Sequence, residues 1–452
     1  MVYSSSIVEN EGTTFFLARI AQHGEKRLGI QGDVTGFEGS LHESSGAFLC
    51  PLTASNAATL RARLDWLNPV PLGLRTSAGF GDRLGLATPG HVQAVSGTGI
   101  APIFAQQSVR ENTRTGRTPQ QVLDEAMWGV FQAGWREAWG ADADHLKTPE
   151  VIEPFVAAGY TFYTIDPSEH VDNEAQTDFP ATLADKVNAL PWDALDTSFE
   201  DLRQRFLDAH WDGVVFDEVT LLRAAAKYGK AIAHIARMYQ RLALLMSGQN
   251  FDFEVSVDET EAPTSIEEHY YIASELTRLG VRWVSLAPRF VGRFEKGVDY
   301  IGDLAELGVH LIGHAAVMRR FGPYKLSLHS GSDKFSVYPA ACQAAGGYVH
   351  LKTAGTSYLE ALRVVALVDP ALFRDILALA HARYSTDRAT YHVSATLDRV
   401  LTPEQLSDDD LPGLLDQFDA RQVLHVTFGS TLDQYGDALR SVLEQHEQLY
   451  AD

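Results

Sequence analysis

From residue 70 onward, short apolar segments alternate with amphipathic stretches of helical spacing. This alternation is typical of βα units, in which helices connect successive parallel strands. Eight segments have the character of strands, and eight is the number that closes a (β/α)8 barrel. The sequence therefore predicts an α/β fold, a TIM-like barrel over residues 70–385. The predicted strands are Pro71–Ser77, Ile100–Ser108, Gly140–Lys147, Thr161–Ser168, Phe251–Asp258, Arg282–Arg289, Tyr324–Gly331 and Tyr348–Thr356.

Three other regions flank or interrupt this barrel. Residues 1–69 contain short strand-like segments separated by glycine and polar residues, which predicts a small β-rich N-terminal cap. Residues 173–250, approximately, are too long for an ordinary βα connection and have helical spacing, so we expect a helical insertion. Residues 386–452 include the apolar run Gln422–Phe428, which favours a strand, and predict a C-terminal α/β extension packed on the barrel.

Charge and composition exclude several classes of partner. The 452 residues have a formal net charge of -22, so nonspecific attraction to nucleic acid or to anionic lipid is not expected. No apolar run reaches membrane length, and the first residues lack the basic and apolar pattern of a secretion signal. Cys50 and Cys342 are far apart and fit a reducing compartment. We expect a cytoplasmic protein; a homo-oligomer is compatible with the sequence.

The carboxyl ends of the barrel strands are where reacting groups are expected, because the loops there surround one pocket. Side chains of a strand point alternately to its two faces. If Val255 and Val257 face the helices, then Glu254, Ser256 and Asp258 face the pocket. The fifth strand therefore supplies two carboxylates to the predicted site.

Strands seven and eight supply histidine and lysine. His329 ends the seventh strand, while His350 and Lys352 share one face of the eighth. Inward charged groups are costly unless they are paired or bind a metal, so a divalent cation held by imidazole and carboxylate groups accounts for them. The alternative is that the histidines pack in the core with satisfied hydrogen bonds. The role of His145 is undecided at this stage.

The loops after strands seven and eight contain glycine, hydroxyl and lysine residues. Barrels commonly bind an anionic group at this place. The glycine-rich segment Ser77–Gly81 lacks the further glycine and acidic residue of a nucleotide-binding fingerprint. We therefore expect a carboxylate or phosphate on a small sugar as the ligand. The candidate substrate contacts are Arg289, Ser330, Lys334 and Lys352.

Four long segments at these strand ends resemble the tagaturonate epimerase family. They are SVDETEAP at 256–263, SLAPRF at 285–290, SLHSGSDKFSVYP at 327–339 and HLKTAGTSYLEA at 350–361. The resemblance is strongest between Phe251 and Phe428 and includes Glu169-His170. That family interconverts tagaturonate and fructuronate in bacterial hexuronate catabolism and is described as using a divalent metal. The resemblance implies a metal-dependent epimerase with a small sugar-acid substrate.

The resemblance also implies roles for single residues. The strand-four motif suggests Glu169 as the proton acceptor and His170 as a metal ligand. Histidine and carboxylate ligands suit Zn, Mn, Co and Fe alike, so the metal itself is not determined. From their strand positions, the further predicted ligands are His329 and His350. The candidates for the second acid or base are Glu254 and Asp258, with Glu259 and Glu261 as alternatives.

The implied reaction restricts the mechanism. The two ketouronates differ at carbon 4, which is not adjacent to the ketone at carbon 2, so simple enolisation does not invert it. Retro-aldol cleavage between carbons 3 and 4, followed by re-addition, does. Transient oxidation at carbon 4 needs a nicotinamide cofactor whose fingerprint is missing. Other functions compatible with the scaffold are another metal-dependent sugar-acid isomerase or aldolase, or a sugar-acid-binding barrel without activity.

Overall fold

A computed structural model describes residues 1–20, 24–207 and 214–452 of the chain. The N-terminal region forms a five-stranded antiparallel sheet in the order β1-β2-β3-β5-β4, as the strand-like segments predicted. Phe15, Leu17 and Leu28 of this sheet are buried in the same core as Leu60, a residue of the first helix. The strands are β1 (Val8–Asn10), β2 (Thr13–Arg19), β3 (Lys26–Gln31), β4 (Ser40–His42) and β5 (Ala47–Cys50).

Eight parallel strands then close into a barrel, which confirms the predicted TIM-like fold. Their order around the barrel is β10-β11-β12-β13-β6-β7-β8-β9, so each strand lies beside its sequence neighbour and β13 closes on β6. The strands are β6 (Ser77–Gly81), β7 (Ala101–Ser108), β8 (Gly140–Leu146), β9 (Phe162–Ile165), β10 (Asp252–Val257), β11 (Ser285–Pro288), β12 (Lys325–Leu328) and β13 (Val349–Thr353).

The first predicted barrel strand was wrong. Pro71–Ser77 has strand-like composition, but its backbone N–H groups at Leu72 and Gly73 donate to the Asp252 carboxylate at 2.7 and 2.9 Å, within a turn. The true strand is the glycine-rich Ser77–Gly81. A Cβ on Gly81 would lie 2.6 Å from the Ala354 backbone, so only glycine allows this close approach.

Helices surround the barrel and form most of the remaining chain. None in the described residues combines the length and apolar composition needed to cross a lipid bilayer. The helices are α1 (Ala54–Arg63), α2 (Thr88–Val95), α3 (Val109–Thr115), α4 (Pro119–Ala133), α5 (Ile152–Ala158), α6 (Pro180–Asn188), α7 (Phe199–Leu207), α8 (Glu218–Met246), α9 (Ile266–Arg278), α10 (Leu304–Phe321), α11 (Tyr338–Ala345), α12 (Thr356–Val368), α13 (Pro370–Asp387), α14 (Phe418–Val426), α15 (Phe428–Gln445) and α16 (Glu447–Ala451).

The segment between β9 and β10 is helical where it is described, as its spacing predicted; positions 208–213 lie outside the described residues. The 29-residue helix α8 packs against α5 and α9 and is the crossover helix of this βα unit. Lys227 of α8 donates to both carboxylate oxygens of Glu268 on α9, at 2.9 and 3.1 Å. Both side chains are almost fully buried, so this ion pair fixes the insertion to the barrel.

The C-terminal extension is helical, and the strand predicted at Gln422–Phe428 was wrong. Ala420, Val423 and Leu424 are buried at helical spacing within α14, and they pack with apolar residues of α12 and α13. The run is long enough for a strand, and all residues from Gln422 to Phe428 are buried, so its own pattern does not distinguish a strand from a buried helix. The extension therefore adds a helical layer rather than an α/β unit.

Replacing Lys227 by methionine should destabilise the fold. The Glu268 carboxylate would stay buried without its cation, which typically costs about 3 to 5 kcal/mol in the free energy of unfolding. Urea unfolding followed by circular dichroism measures the loss. Lys230→Met, on the exposed side of the same helix, is the matched control and should leave the midpoint unchanged. Equal midpoints for both variants would contradict the assigned role of the pair.

Candidate active site

A cavity of about 270 Å³ opens at the carboxyl ends of the barrel strands. It lies where the loops after β7, β8, β9 and β10 meet, the place at which barrels bind substrates. Charged and hydroxyl side chains of four strands converge beneath it. The residues that line the cavity are Ser108, Val109, Arg110, His145, Lys147, Val151, Asp166 and Glu259.

The deepest polar layer of the barrel contains His350. Its Nδ1 atom lies 2.9 Å from the Ser77 hydroxyl, and its ring packs on Phe162 with the centroids 5.0 Å apart. Lys325 donates to the same hydroxyl at 2.8 Å. Burial lowers the pKa of His350 well below its usual value, so the ring is neutral. His350 is inward-facing, as alternation predicted, but it lies below the cavity.

Lys352 is the centre of the next layer. Its ammonium group lies 2.7 Å from Asp142, 2.7 Å from Asp144 and 3.0 Å from Glu254, and it also donates to the Thr164 hydroxyl. Burial alone would lower the pKa of Lys352, but the three carboxylates raise it, so the side chain is charged. This predicted substrate contact is therefore already bound by carboxylates of the barrel.

The carboxylates around Lys352 differ in their protonation. Burial, Asp144 and Glu254 raise the pKa of Asp142 to about 7, although Lys352 opposes them. Lys352 and the neighbouring histidines outweigh burial at Asp144 and lower its pKa to about 2. Glu254 also has a pKa well below its usual value, because Lys352 and His329 overcome its burial. The layer thus contains two firmly ionised carboxylates and one that titrates near neutrality.

His329 lies directly above this layer and connects the two carboxylates predicted on β10. Its Nε2 atom lies 2.8 Å from Glu254 and its Nδ1 atom 3.2 Å from Asp258, which in turn accepts from Ser256 at 2.5 Å. Burial would lower the pKa of His329, but Asp258 and Glu254 raise it to about 9. The predicted pocket face of β10 and the predicted position of His329 are both confirmed by these contacts.

His145 enters the pocket because strand β8 is irregular near its end. The pairing of β8 with β9 shifts register between Ala143 and Leu146, and His145 has a left-handed backbone with φ of +54°. Its ring lies 3.2 Å from Asp166 and 3.7 Å from Asp144. These carboxylates outweigh burial and raise the pKa of His145 to about 10. Simple alternation does not predict this inward orientation.

Two groups of donor atoms in the described residues are close enough to hold a metal ion. Within each group, the atoms lie within 4.8 Å of one another. One consists of His145, Asp258 and His329, and the other of His145, Asp166 and Glu259. Imidazole and carboxylate groups suit the divalent transition metals named above. Of the three histidines predicted as ligands, His329 belongs to these groups, whereas His170 and His350 do not.

Glu169 and His170 lie on the rim of the cavity, in a short 3-10 helix after β9. Both are exposed. The His170 ring stacks on His234 with centroids 4.1 Å apart. Lys147 connects this rim to the cavity, because its ammonium group lies 4.0 Å from Glu169 and 3.7 Å from Glu259.

The other predicted substrate contacts are engaged elsewhere or lie in turns. Lys334 is buried, and its ammonium group donates to the carbonyls of Glu295, Val298 and Ser332 at 2.8, 2.5 and 2.9 Å. The Arg289 guanidinium donates to the Thr260 carbonyl. Ser330 has a left-handed backbone with φ of +49° in the turn after β12. Lys334 and Arg289 therefore hold loops together.

Three carboxylates of the site, all aspartates, were not among the sequence candidates. Asp142 and Asp144 alternate on β8 in the same way as Glu254 and Asp258 on β10, so the alternation argument would have found them. Asp166 ends the fourth strand segment and accepts from the Ser168 backbone at 2.9 Å. Its position at a strand end was the available signal.

Asp142→Asn should change how stability depends on pH. The folded pKa of about 7 exceeds the ordinary value of 3.8, so the stabilising contribution of Asp142 is complete below about pH 4 and is lost as the pH rises through 7. Asparagine does not titrate. Relative to the wild type, the variant should gain on the order of 2 to 4 kcal/mol in unfolding free energy between pH 4 and pH 8. Parallel pH profiles in urea unfolding would contradict this.

Comparisons with known proteins agree with this architecture. The chain matches the family model described as tagaturonate epimerase, UxaE, over residues 3–452. It is 45% identical to the tagaturonate/fructuronate epimerase of Thermotoga maritima over 466 aligned residues, which cover 99% of this chain and 93% of that protein. The native crystal structure of fructuronate-tagaturonate epimerase UxaE from Cohnella laeviribosi superposes with a TM-score of 0.94 at 38% identity, covering 100% of this chain and 93% of that one. A glycerol complex of the same Cohnella enzyme has a TM-score of 0.92 at 38% identity and the same coverage. The chain belongs to the tagaturonate epimerase family.

Proposed function

We propose that this protein is a metal-dependent epimerase that interconverts D-tagaturonate and D-fructuronate at carbon 4. The observation that supports it most strongly is the 45% identity to the Thermotoga maritima epimerase over 99% of the chain. The site supports the same activity, because ionised carboxylates and imidazoles surround a cavity of about 270 Å³, large enough for a six-carbon sugar acid. The negative charge and the soluble-type composition are compatible with a cytoplasmic enzyme of sugar-acid catabolism.

The reaction we propose is a retro-aldol cleavage followed by aldol addition. A base removes the proton of the carbon-4 hydroxyl, the bond between carbons 3 and 4 breaks, and its electron pair moves onto the carbon-2 oxygen. The fragments are dihydroxyacetone in its enediolate form and a three-carbon aldehyde acid. Rotation of the aldehyde presents its other face, and re-addition with return of the proton gives the epimer. No atom or electron is gained or lost, so no redox cofactor is required.

Glu169 and Glu259 are the acid and base groups that the geometry favours. Glu259 lines the cavity and Glu169 lies beside it, both within 4.0 Å of Lys147. Glu169 is the proton acceptor that the family resemblance implies. Glu254 is less suited, because it is fully buried and one of its oxygens already contacts His329, Lys352 and Thr164. The Lys147 ammonium group lies between the two carboxylates and would hold them near the carbon-4 hydroxyl.

Asp258, first considered as an acid or base, also fits the role of a metal ligand. With His145 and His329 it forms the partly buried donor group that fits a divalent cation. Such a cation would supply Lewis-acid polarisation of the carbon-2 ketone when bound. The remaining ligand candidates, His170 and His350, stay predictions to be tested by substitution. Ser256 orients the Asp258 carboxylate through its hydroxyl, at 2.5 Å.

Purified protein incubated with tagaturonate should form fructuronate, and chromatography measures this product. Small amounts of the three-carbon aldehyde acid should also be released and can be trapped chemically. Glu259→Gln should lower kcat by roughly 10²- to 10⁴-fold, because an amide accepts no proton. Glu261→Gln is the matched control in the same loop; Glu261 is exposed and should be dispensable. A wild type without turnover would reject the epimerase, and equal activities of the two variants would reject the role of Glu259.

Metal affinity should increase with pH. Since His145 and His329 have pKa values of about 10 and 9, both rings carry a proton at pH 7 that a cation must displace. Calorimetric titration of MnCl2 into metal-free protein should show up to two protons released per ion and tighter binding at pH 9 than at pH 7. His329→Gln should weaken binding, His446→Gln should not, and His170→Gln tests the ligand that the resemblance implies. Affinity without pH dependence would contradict this site.

A further inference from the structure

Helix α12 begins beside the pocket without a capping side chain. Gly355 precedes its first residue, and among the described residues no side chain caps the N–H groups of the first turn. Uncapped N–H groups and the helix dipole favour an anion at such a position. This position, after the eighth barrel strand, is also where barrels commonly bind anionic groups. Two buried side chains beside Gly355 provide independent evidence for an anion.

The first is His425, which is fully buried against Gly355. A Cβ on Gly355 would lie only 2.0 Å from the imidazole ring, so the ring covers the start of α12. Its Nε2 atom lies 3.3 Å from the Arg83 guanidinium, which can only donate, so Nε2 accepts and Nδ1 carries the proton. Nδ1 has no hydrogen-bond partner among the described residues. His425 therefore presents an unused N–H donor.

The second is Arg83, whose exposed fraction is 2%. It pairs with Glu111 through Nε at 3.2 Å and Nη2 at 3.1 Å, and its guanidinium packs 3.7 Å from the centroid of the Phe428 ring. Its third nitrogen, Nη1, has no partner among the described residues. A buried donor left unsatisfied costs stability, so an acceptor that reaches Nη1 of Arg83 or Nδ1 of His425 gains a hydrogen bond.

Lys296 adds a cationic side chain whose charge interacts with Arg83 and Glu111. Within the described part of the chain its ammonium group forms neither an ion pair nor a hydrogen bond. Its backbone is held by α14, because Gln422 donates to the Lys296 carbonyl at 3.2 Å and Arg421 donates to the Gly297 carbonyl at 2.6 Å. Burial lowers the pKa of Lys296, while Glu111 and Asp258 act against that change. The charges of Glu111, Arg83 and Asp258 therefore all act on the Lys296 ammonium group.

We propose that Arg83, Lys296, His425 and the first turn of α12 form the pocket that binds the carboxylate group of the sugar-acid substrate. A carboxylate only accepts hydrogen bonds, and two buried donors, Nη1 of Arg83 and Nδ1 of His425, are unused among the described residues. The lysine and arginine residues first expected for this role are already satisfied by carbonyl or carboxylate groups. The inference rests on the proposed function, and it assigns the helical extension a part in substrate recognition.

Lys296→Gln tests the pocket, because glutamine has similar reach without the charge. We expect KM for tagaturonate to rise roughly ten- to a hundredfold with kcat within about threefold of the wild type, since a charge-assisted hydrogen bond is lost. Inhibition by tagatose, which has a CH2OH group in place of the carboxylate, should be unchanged. Lys296→Arg should recover most of the affinity, and the exposed Lys230→Gln should behave as the wild type.

An unchanged KM in folded Lys296→Gln would overturn the inference, and so would equal weakening of tagatose and tagaturonate. Calorimetric titration of tagaturonate into the wild type and into Lys296→Gln measures binding directly rather than through KM. Binding that depends on Lys296 in a wild type without epimerase activity would support the pocket and reject the proposed function. Normal turnover with binding independent of Lys296 would reject the pocket alone.

Discussion

The ion cluster around Lys352 determines the charge state of the whole site. One ammonium group from β13 meets Asp142 and Asp144 of β8 and Glu254 of β10, so strands from three sides of the barrel share it. Buried carboxylates are costly alone, and Asp144 and Glu254 keep low pKa values because this cation is present, whereas the pKa of Asp142 rises to about 7. Ionised Glu254 then holds the proton of His329, and His329 in turn orients Asp258. The ion pairs between Glu254, His329 and Asp258 thus depend on one lysine inside the barrel.

Much of this cluster could be predicted from residue order, because a regular strand alternates strictly. All six residues of β10 are buried, and its inward residues are those expected from the pattern of valines. The same rule applies to Lys352 and His350. It fails at His145, where a register shift and a left-handed residue turn the side chain inward. Such irregularities depend on the neighbouring strand, so local sequence contains little sign of them.

The errors at β6 and α14 have a common physical origin. In both places the element is decided by long-range packing: β6 needs glycine because the backbone of residue 354 lies close, and α14 is helical because its apolar residues meet α12 and α13. Lys296 could not be assigned for the same reason. Its backbone partner Gln422 is 126 residues away along the chain, on a helix that composition predicted as a strand.

The raised pKa values of His145 and His329 have a consequence for how the proposed divalent ion would bind. Two imidazolium protons would leave as one doubly charged cation arrived, so the exchange would leave the net charge of the pocket unchanged. Screening by salt then acts almost equally on the protonated and the loaded site. Binding of the divalent cation would depend on pH and hardly on ionic strength. In a chain with a net charge of -22, this makes occupancy of the site nearly independent of the electrostatic attraction that the rest of the surface exerts on cations.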